Sequence, residues 1–593
     1  MFCGKPLRKI IMLGFFISAP LVRAAENFEV KVDRDVTATM RDGVTLRADI
    51  YRPTSEGRFP VLLQRTPYDK NNGNTFAFKA ASRGYAVVIQ DVRGRYASDG
   101  EWYTFKHESD DGYDTVEWAA ALPYSNGKVG MWGGSYVGAT QMLAAIAHPP
   151  HLAGICPVVT ASNYHDGWSY QGGAFEQWFN QSWTSGLAQN TFARVVNKNT
   201  NALGGVWKLP LNNYPLFNFS DAAAAPISTA SVAPYYLDWL AHPSYDDYWK
   251  RISIEEHFAE INVPALTIAA WYDIFLGGSL RIYTGLKTHG ATEAARHGQH
   301  LLVTIGGHAG SGRNIGDVDF GAGAAEYEEN DLTLKWYDFL FKGAQNEFSG
   351  KPVKIFVMGV NQWRDEDDWP LARARLTKYF LHSTKTASSL RGDGALSTAP
   401  PRSEPADRYV YDPANPAPTT GGPLCCDAQH LQPGPRDQRG VEAREDVLVF
   451  TGAALTEDLE VTGPVTLELF ADSTASDTDF TAKLVDVAPD GFAQNLTEGI
   501  IRARYRDSQE KPARMVPGQI YKFAIDLWAT SNVFRKGHAI RLEISSSNFP
   551  RFDRNLNTAE DAALATHFIP ATNRIYHDAA HPSALLLPVI PGQ

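Results

Sequence analysis

A serine set among glycines, with an apolar run on each side, is the first chemistry-bearing feature of the chain: Gly133-Gly134-Ser135-Tyr136-Val137-Gly138. The preceding run, Lys128-Val129-Gly130-Met131-Trp132, reads as a strand, and residues 139–147 read as a buried helix. A sharp strand-to-helix turn of this kind is a nucleophile elbow. It lifts the serine hydroxyl clear of the backbone, and crowding at the turn calls for glycine neighbours. The pattern departs from G-x-S-x-G, because Val137 stands where the second glycine would and Gly138 follows it. An N-cap serine behind a glycine turn is the alternative for this stretch.

A hydroxyl becomes a nucleophile when a base takes its proton, and the resulting imidazolium needs a carboxylate to fix its tautomer and charge. In α/β-hydrolases these groups follow along the chain as serine, acid, histidine. Residues 263–270 form an apolar strand run that ends in Trp271-Tyr272-Asp273, and residues 301–305 form another that ends in Gly306-Gly307-His308. Taken singly, the aspartate reads equally as a helix cap and the histidine as a turn residue. In this order, and on one edge of a sheet, they predict a triad of Ser135, Asp273 and His308.

With these residues the chain resembles the hydrolase family of cocaine esterases, α-amino acid ester hydrolases, glutaryl-cephalosporin acylases and X-Pro dipeptidyl-peptidases (CocE/NonD hydrolases). The likeness extends over Arg65-Thr66-Pro67-Tyr68-Asp69-Lys70, Gln90-Asp91-Val92-Arg93-Gly94, Asp111-Gly112-Tyr113-Asp114 and the Ser-Tyr-x-Gly form of the elbow. Near the far end it includes Ser545-Ser546-Ser547-Asn548-Phe549-Pro550-Arg551-Phe552-Asp553. The resemblance implies an α/β-hydrolase domain with an inserted helical cap and a C-terminal jelly-roll β-sandwich. It also implies that the Tyr68 hydroxyl and the Tyr136 backbone N–H form an oxyanion hole. That role suits a tyrosine just after the apolar strand of residues 60–64, where an ordinary edge tyrosine is the other reading. Trp168, Trp183 and Phe275 resemble family positions that grip the acyl group.

These groups must be positioned by a split domain, since strands and helices run to about Val159 and resume near Val263. The expected division is a signal peptide over 1–24, hydrolase parts over 25–160 and 255–370, a helical cap over 161–254 and a β-sandwich over 371–593. In the cap, Trp168, Phe175, Trp178, Phe179, Trp183 and Leu187 recur at near-helical spacing, while Pro210, Pro215 and residues 222–226 break the later part. Trp363–Pro370 reads as a charged, solvated loop, and residues 398–423 as a long Pro-rich meander. Residues 465–469, 521–527 and 540–544 alternate with period two, as half-buried antiparallel strands do. Asp477-Thr478-Asp479 lacks the glycine and glutamate of a calcium loop.

Lys5, Arg8 and Lys9, then an apolar run, then Val22-Arg23-Ala24 form a secretory signal that points to a secreted or periplasmic protein. Its removal would take four basic residues and shift the formal charge from −11 to −15. An acidic chain without basic runs does not favour nucleic acid, and no later stretch is apolar enough to span a membrane. Homo-oligomerisation stays open. Beyond the signal, Cys156 reads as a core thiol, and the adjacent Cys425 and Cys426 as either a vicinal disulfide or a pair of free thiols. Metal binding by the pair lacks further ligands in the sequence, and no metal site or cofactor fingerprint is expected.

The expected partner is a small-molecule ester or amide. Ile274, Phe275 and Leu276 follow the triad aspartate where α-amino ester hydrolases of this family carry acidic residues, which favours uncharged acyl groups. Asp166 and Glu176 are the cap carboxylates able to reverse this. Dipeptidyl-peptidase or glutaryl and β-lactam acylase activity is the alternative. From another class, the alternative is an envelope or polysaccharide binder with a vestigial hydrolase.

Overall fold

The computed structural model describes Met1 and residues 27–193, 209–213, 228–308, 310–558 and 560–592. The signal segment, Pro215 and residues 222–226 lie outside the described residues. Ten strands form one mixed sheet: β1 (Val30–Thr39), β2 (Thr45–Pro53), β3 (Phe59–Thr66), β4 (Ala86–Asp91), β5 (Ser125–Gly134), β6 (Leu152–Val158), β7 (Ala265–Tyr272), β8 (Gln299–Gly307), β9 (Val353–Val357) and β10 (Gln362–Glu366). Their order is β1-β2-β4-β3-β5-β6-β7-β8-β9-β10. The seven strands from β4 to β9 are parallel, and antiparallel strands close both edges.

Every residue of β4 and of β7 is buried, which is why these strands read as continuous apolar runs instead of alternating ones. Helices α1 (Asn74–Ala81), α2 (Glu108–Ala120) and α3 (Tyr136–Ile146) connect and cover them. All eleven residues of α3 are buried. At Gly112 an added Cβ would lie 2.6 Å from Ala144 Cβ, so glycine is what lets α2 approach α3.

Between β6 and β7 the chain leaves the sheet. Helix α4 (Gln177–Ala193) carries Trp178, Phe179, Trp183 and Leu187, but Trp168 and Phe175 precede it, so the helical spacing expected over the whole stripe begins at Gln177. Aromatic packing places Trp168 5.4 Å from the Trp183 ring, and Asn180 of the helix donates to the neighbouring Ser169 carbonyl at 3.0 Å.

The first half of the charged stretch, through Glu366, is a strand, whereas residues 367–370 form the expected loop. β10 pairs with β9 at the sheet edge, where Glu366 is buried and bound by Arg364 and Arg373. Charged residues suit such an edge because they discourage pairing with another chain. The Pro-rich meander likewise contains a strand, Asp407–Tyr411, paired with Ala571–Tyr576.

From Arg375 onward the chain is β-rich, with eleven strands in one hydrogen-bonded sheet. The longest pair is Leu459–Ser473 with Tyr521–Phe534, where Val465, Leu467, Leu469, Phe523, Ile525 and Leu527 point inward in the expected alternation. Asp477 and Asp479 are buried against Arg504 and Arg502.

Candidate active site

Parallel strands present their carboxyl ends on one edge, and the site is assembled there. Tyr68 follows β3, Ser135 follows β5, Asp273 follows β7 and His308 follows β8. β3 and β5 are neighbours, so Tyr68 and Ser135 are close, while β6 alone separates the serine strand from the aspartate strand.

Ser135 sits at φ 60° and ψ −128°, a conformation few non-glycine residues adopt. Its N–H is held by Val158 O at 2.9 Å, and its carbonyl accepts the first bonds of α3. A Cβ on Gly133 would approach Val137 Cγ1 to 2.4 Å, and one on Gly138 would approach Thr160 Cβ to 2.7 Å. The displaced glycine of the motif therefore meets the chain leaving β6, whereas the position two after the serine has room for valine.

His308 Nδ1–H donates to Asp273 Oδ2 at 2.6 Å, and its Nε2 faces Ser135 Oγ at 2.9 Å. Asp273 is wholly buried, and its other oxygen accepts the Phe275 backbone N–H at 2.8 Å. The carboxylate is thus fixed by its own turn before it orients the imidazole. An unbroken path runs from carboxylate through imidazole to hydroxyl, and it can move a proton from oxygen to nitrogen.

The Tyr68 hydroxyl lies against the Ser135 side chain and the Tyr136 backbone N–H. Burial raises its pKa above the ordinary 10, although the bond from Trp183 and the positive Arg95 pull the other way. The phenol stays protonated and able to donate at neutral pH. Trp183 Nε1–H donates to the Tyr68 oxygen at 3.0 Å, which fills a lone pair and leaves the phenolic proton free to point elsewhere. This contact, across 115 residues of sequence, is absent from any local pattern.

Beneath the elbow is a polar anchor that joins Arg65 and Tyr136 of the sequence motifs through Glu108, which lies in none of them. The Tyr136 hydroxyl accepts from Phe105 N–H at 2.7 Å and donates to Glu108 at 3.0 Å, and Glu108 pairs with buried Arg65 at 2.8 Å. Burial raises the Glu108 pKa, and Arg65 opposes that shift. Asp111, one turn on in α2, holds Arg93 through two bonds of 2.6 and 2.9 Å.

Around the triad, Phe275 stacks on Trp168 with ring centroids 4.4 Å apart and meets His308 edge-on at 5.2 Å. Trp183 stacks on Tyr136 at 5.8 Å. Phe275 thus meets His308 directly, while Trp168 lies behind it against Phe275 and Trp183 lies against Tyr68 and Tyr136. The cap carboxylates do not stand free: Asp166 accepts the Gly172 N–H at 3.1 Å and lies 3.9 Å from Arg281, and Glu176 is bound by Arg551 at 3.2 Å. Cys425 and Cys426 are joined as a disulfide, and their sulfurs and an imidazole nitrogen of His308 all lie within 4.8 Å of one another. Cys156 is a buried free thiol with its pKa pushed up to about 12 by burial.

Comparison with known proteins agrees with this architecture. Residues 42–310 match the X-Pro dipeptidyl-peptidase (S15 family) model, and residues 346–586 match the X-Pro dipeptidyl-peptidase C-terminal non-catalytic domain. The chain is 38% identical over 590 residues to a cocaine esterase of Rhodococcus sp., covering 94% of this chain and 98% of that one. It is 27% identical to a putative serine esterase of Mycobacterium bovis, covering 93% and 94%. Among solved structures, an aminopeptidase from a Thaumarchaeota archaeon superposes with a TM-score of 0.82 at 26% identity, covering 98% of this chain and 99% of that chain. An α-amino acid ester hydrolase gives 0.81 at 26%, covering 98% and 100%. The α/β-hydrolase sheet, its β-rich C-terminal region and these relatives set aside the reading of a binding module, and the chain belongs to the CocE/NonD, X-Pro dipeptidyl-peptidase-like family of serine hydrolases that act on ester and peptide bonds.

Proposed function

We propose that the protein cleaves an ester or amide of an uncharged carboxylic acid through an acyl-enzyme formed on Ser135. The observation that carries this reading is the continuous Asp273–His308–Ser135 hydrogen-bond path, with a protonated Tyr68 beside the hydroxyl. In the first half-reaction Ser135 Oγ attacks the carbonyl carbon as His308 Nε2 takes its proton, and Asp273 stabilises the imidazolium. The oxygen of the tetrahedral intermediate accepts from the Tyr68 hydroxyl and the Tyr136 N–H. Collapse expels the leaving alcohol or amine, which takes the proton from His308. Water, deprotonated by the same imidazole, then attacks the acyl-enzyme and restores Ser135.

The preference for a neutral acyl group is supported by the wall of Ile274, Phe275 and Leu276, all buried, and by the engagement of Asp166 and Glu176 elsewhere. Trp168, Trp183 and Phe275 take the acyl group in this reading. A protonated amine against that wall would lose its hydration without gaining a partner. Export to the periplasm or beyond belongs to the same proposal, supported by the basic-then-apolar residues 1–24 and by the Cys425–Cys426 disulfide. The test compares phenylacetate and phenylglycine esters with one leaving group, at a pH where the amine is charged. The neutral ester should win in kcat/KM by at least about tenfold, or roughly 1.4 kcal/mol. A preference for phenylglycine would overturn the acyl assignment and put an aminopeptidase-like activity in its place.

A further inference from the structure

The disulfide beside the triad comes from a different part of the fold. Cys425 and Cys426 belong to the β-rich region, yet Cys425 packs in the same apolar cluster as Tyr68, Trp183 and Phe275. Cys425 is only 6% exposed, whereas Cys426 is open to solvent at φ 79°. One residue of the pair therefore faces solvent, while the other is held against the site. From sequence alone the two cysteines lack a further ligand. The fold supplies one, because an imidazole nitrogen of His308 lies within 4.8 Å of both sulfurs.

Two thiolates and an imidazole are the donor set of a tetrahedral zinc-type site with its fourth position open, and soft sulfur favours Zn²⁺ or Cd²⁺ over hard cations. A disulfide does not provide these ligands, since the thiolate is the binding form. A dithiol reductant would break the S–S bond, giving two electrons and two protons to the cysteines and becoming a disulfide itself. The cation would then displace the thiol protons to solvent. His308 has no nitrogen to spare for it: Nδ1 is bonded to Asp273 and Nε2 to Ser135. Whichever nitrogen bound the cation, one link of the proton path would be lost.

We propose that Cys425, Cys426 and His308 form, once the disulfide is reduced, an inhibitory site for a thiophilic divalent cation. The hydrolase then works in the disulfide state and is closed by metal in the dithiol state. This rests on the triad reading above only for its activity readout.

The experiment reduces the full-length enzyme with a water-soluble phosphine, which takes oxygen from water as the cysteines take its hydrogens. The protein is then desalted without oxygen and titrated with Cd²⁺. Thiolate-to-metal absorption in the ultraviolet and ester turnover are read together. Stoichiometric Cd²⁺ should raise the absorption and abolish turnover, and a chelator should reverse both. The oxidised enzyme, and a Cys425→Ser/Cys426→Ser variant measured against its own untreated turnover, should be indifferent to the same Cd²⁺. Equal inhibition of that variant would overturn the site. So would absorption without loss of turnover, or a thiol count after denaturation that fails to rise by two on reduction. Failure of the hydrolase reading would show separately, as an oxidised enzyme without turnover before any cation is added.

Discussion

Arg65 and Arg551 are both buried and both bound to glutamates, but they tie together different things. Arg65 holds Glu108, Glu108 holds the Tyr136 ring, and the Tyr136 backbone follows Ser135 directly. Arg551 holds Glu498 of the β-rich region at 2.5 Å together with Gln171 and Glu176 of the segment between β6 and β7. Arg502 and Asp553 repeat that second pattern, with Asp553 also accepting the Phe175 N–H at 2.7 Å. A buried pair adds little net stability over apolar packing, but removing one partner leaves an uncompensated charge. Position along the chain therefore decides the consequence. The first cluster fixes the residue that follows Ser135, and the second fixes the inserted segment to the β-rich region.

The contrast between the edge that carries Ser135 and the seam is testable from both sides. Ser135→Ala should lower turnover by about 10⁶-fold and leave melting temperature unchanged, because a small residue still fits the turn. In the same assay Asp273→Asn should cost about 10⁴-fold by stabilising the wrong imidazole tautomer. A loss below about tenfold in the latter would mean that another acid holds His308.

Tyr68→Phe removes one hydroxyl and sharpens the comparison at the edge. A drop in kcat of about 10²–10³-fold with a smaller change in KM is expected of an oxyanion donor. If melting temperature falls and kcat does not, Tyr68 belongs with the structural residues.

At the seam the order of effects should invert. Arg551→Met strands Glu498 and Glu176 and should destabilise the protein by about 3–5 kcal/mol in denaturant unfolding, while kcat per folded molecule stays near wild type. A variant with normal stability and large loss of kcat would merge the two clusters into one function.

The smallest effect concerns Glu543, buried in the β-rich region with its pKa raised to about 8 by burial and by nearby Glu442, against the pull of Lys483. The folded protein keeps this proton up to about pH 8, while the unfolded chain releases it near 4.5. Stability from this group is thus full at low pH and is lost as pH rises through that window. Glu543→Gln cannot ionise, so its melting temperature should fall less than wild type between about pH 5 and about pH 8. Parallel curves for the two proteins would refute the assignment.

How far the sequence reveals such a site depends on whether a residue's place is set locally. Ser135, Asp273 and His308 each end a buried strand, so apolar runs and their last residues locate them. Glu108 lies in an ordinary-looking first helical turn, and its purpose appears only when α2 meets α3. Cys425 and Cys426 reach His308 through the packing of the β-rich region, which no local period reports. Strand β10 was hidden by its charges and Asp407–Tyr411 by flanking prolines, since edge strands need not carry an apolar signal. The helix at Gln177 begins later than the aromatic spacing suggests because a two-residue hairpin, Tyr170–Gln171 with Ala174–Phe175, occupies the preceding stretch.

The central claim is that Ser135 is the acylated nucleophile, and a fluorophosphonate probe followed by peptide mass spectrometry tests it most directly. The account predicts one phosphonylated residue, Ser135, with labelling that is lost in Ser135→Ala and strongly slowed in Asp273→Asn. Labelling of a different residue in the active wild-type enzyme, or full turnover by an unlabelled Ser135→Ala protein, would contradict it.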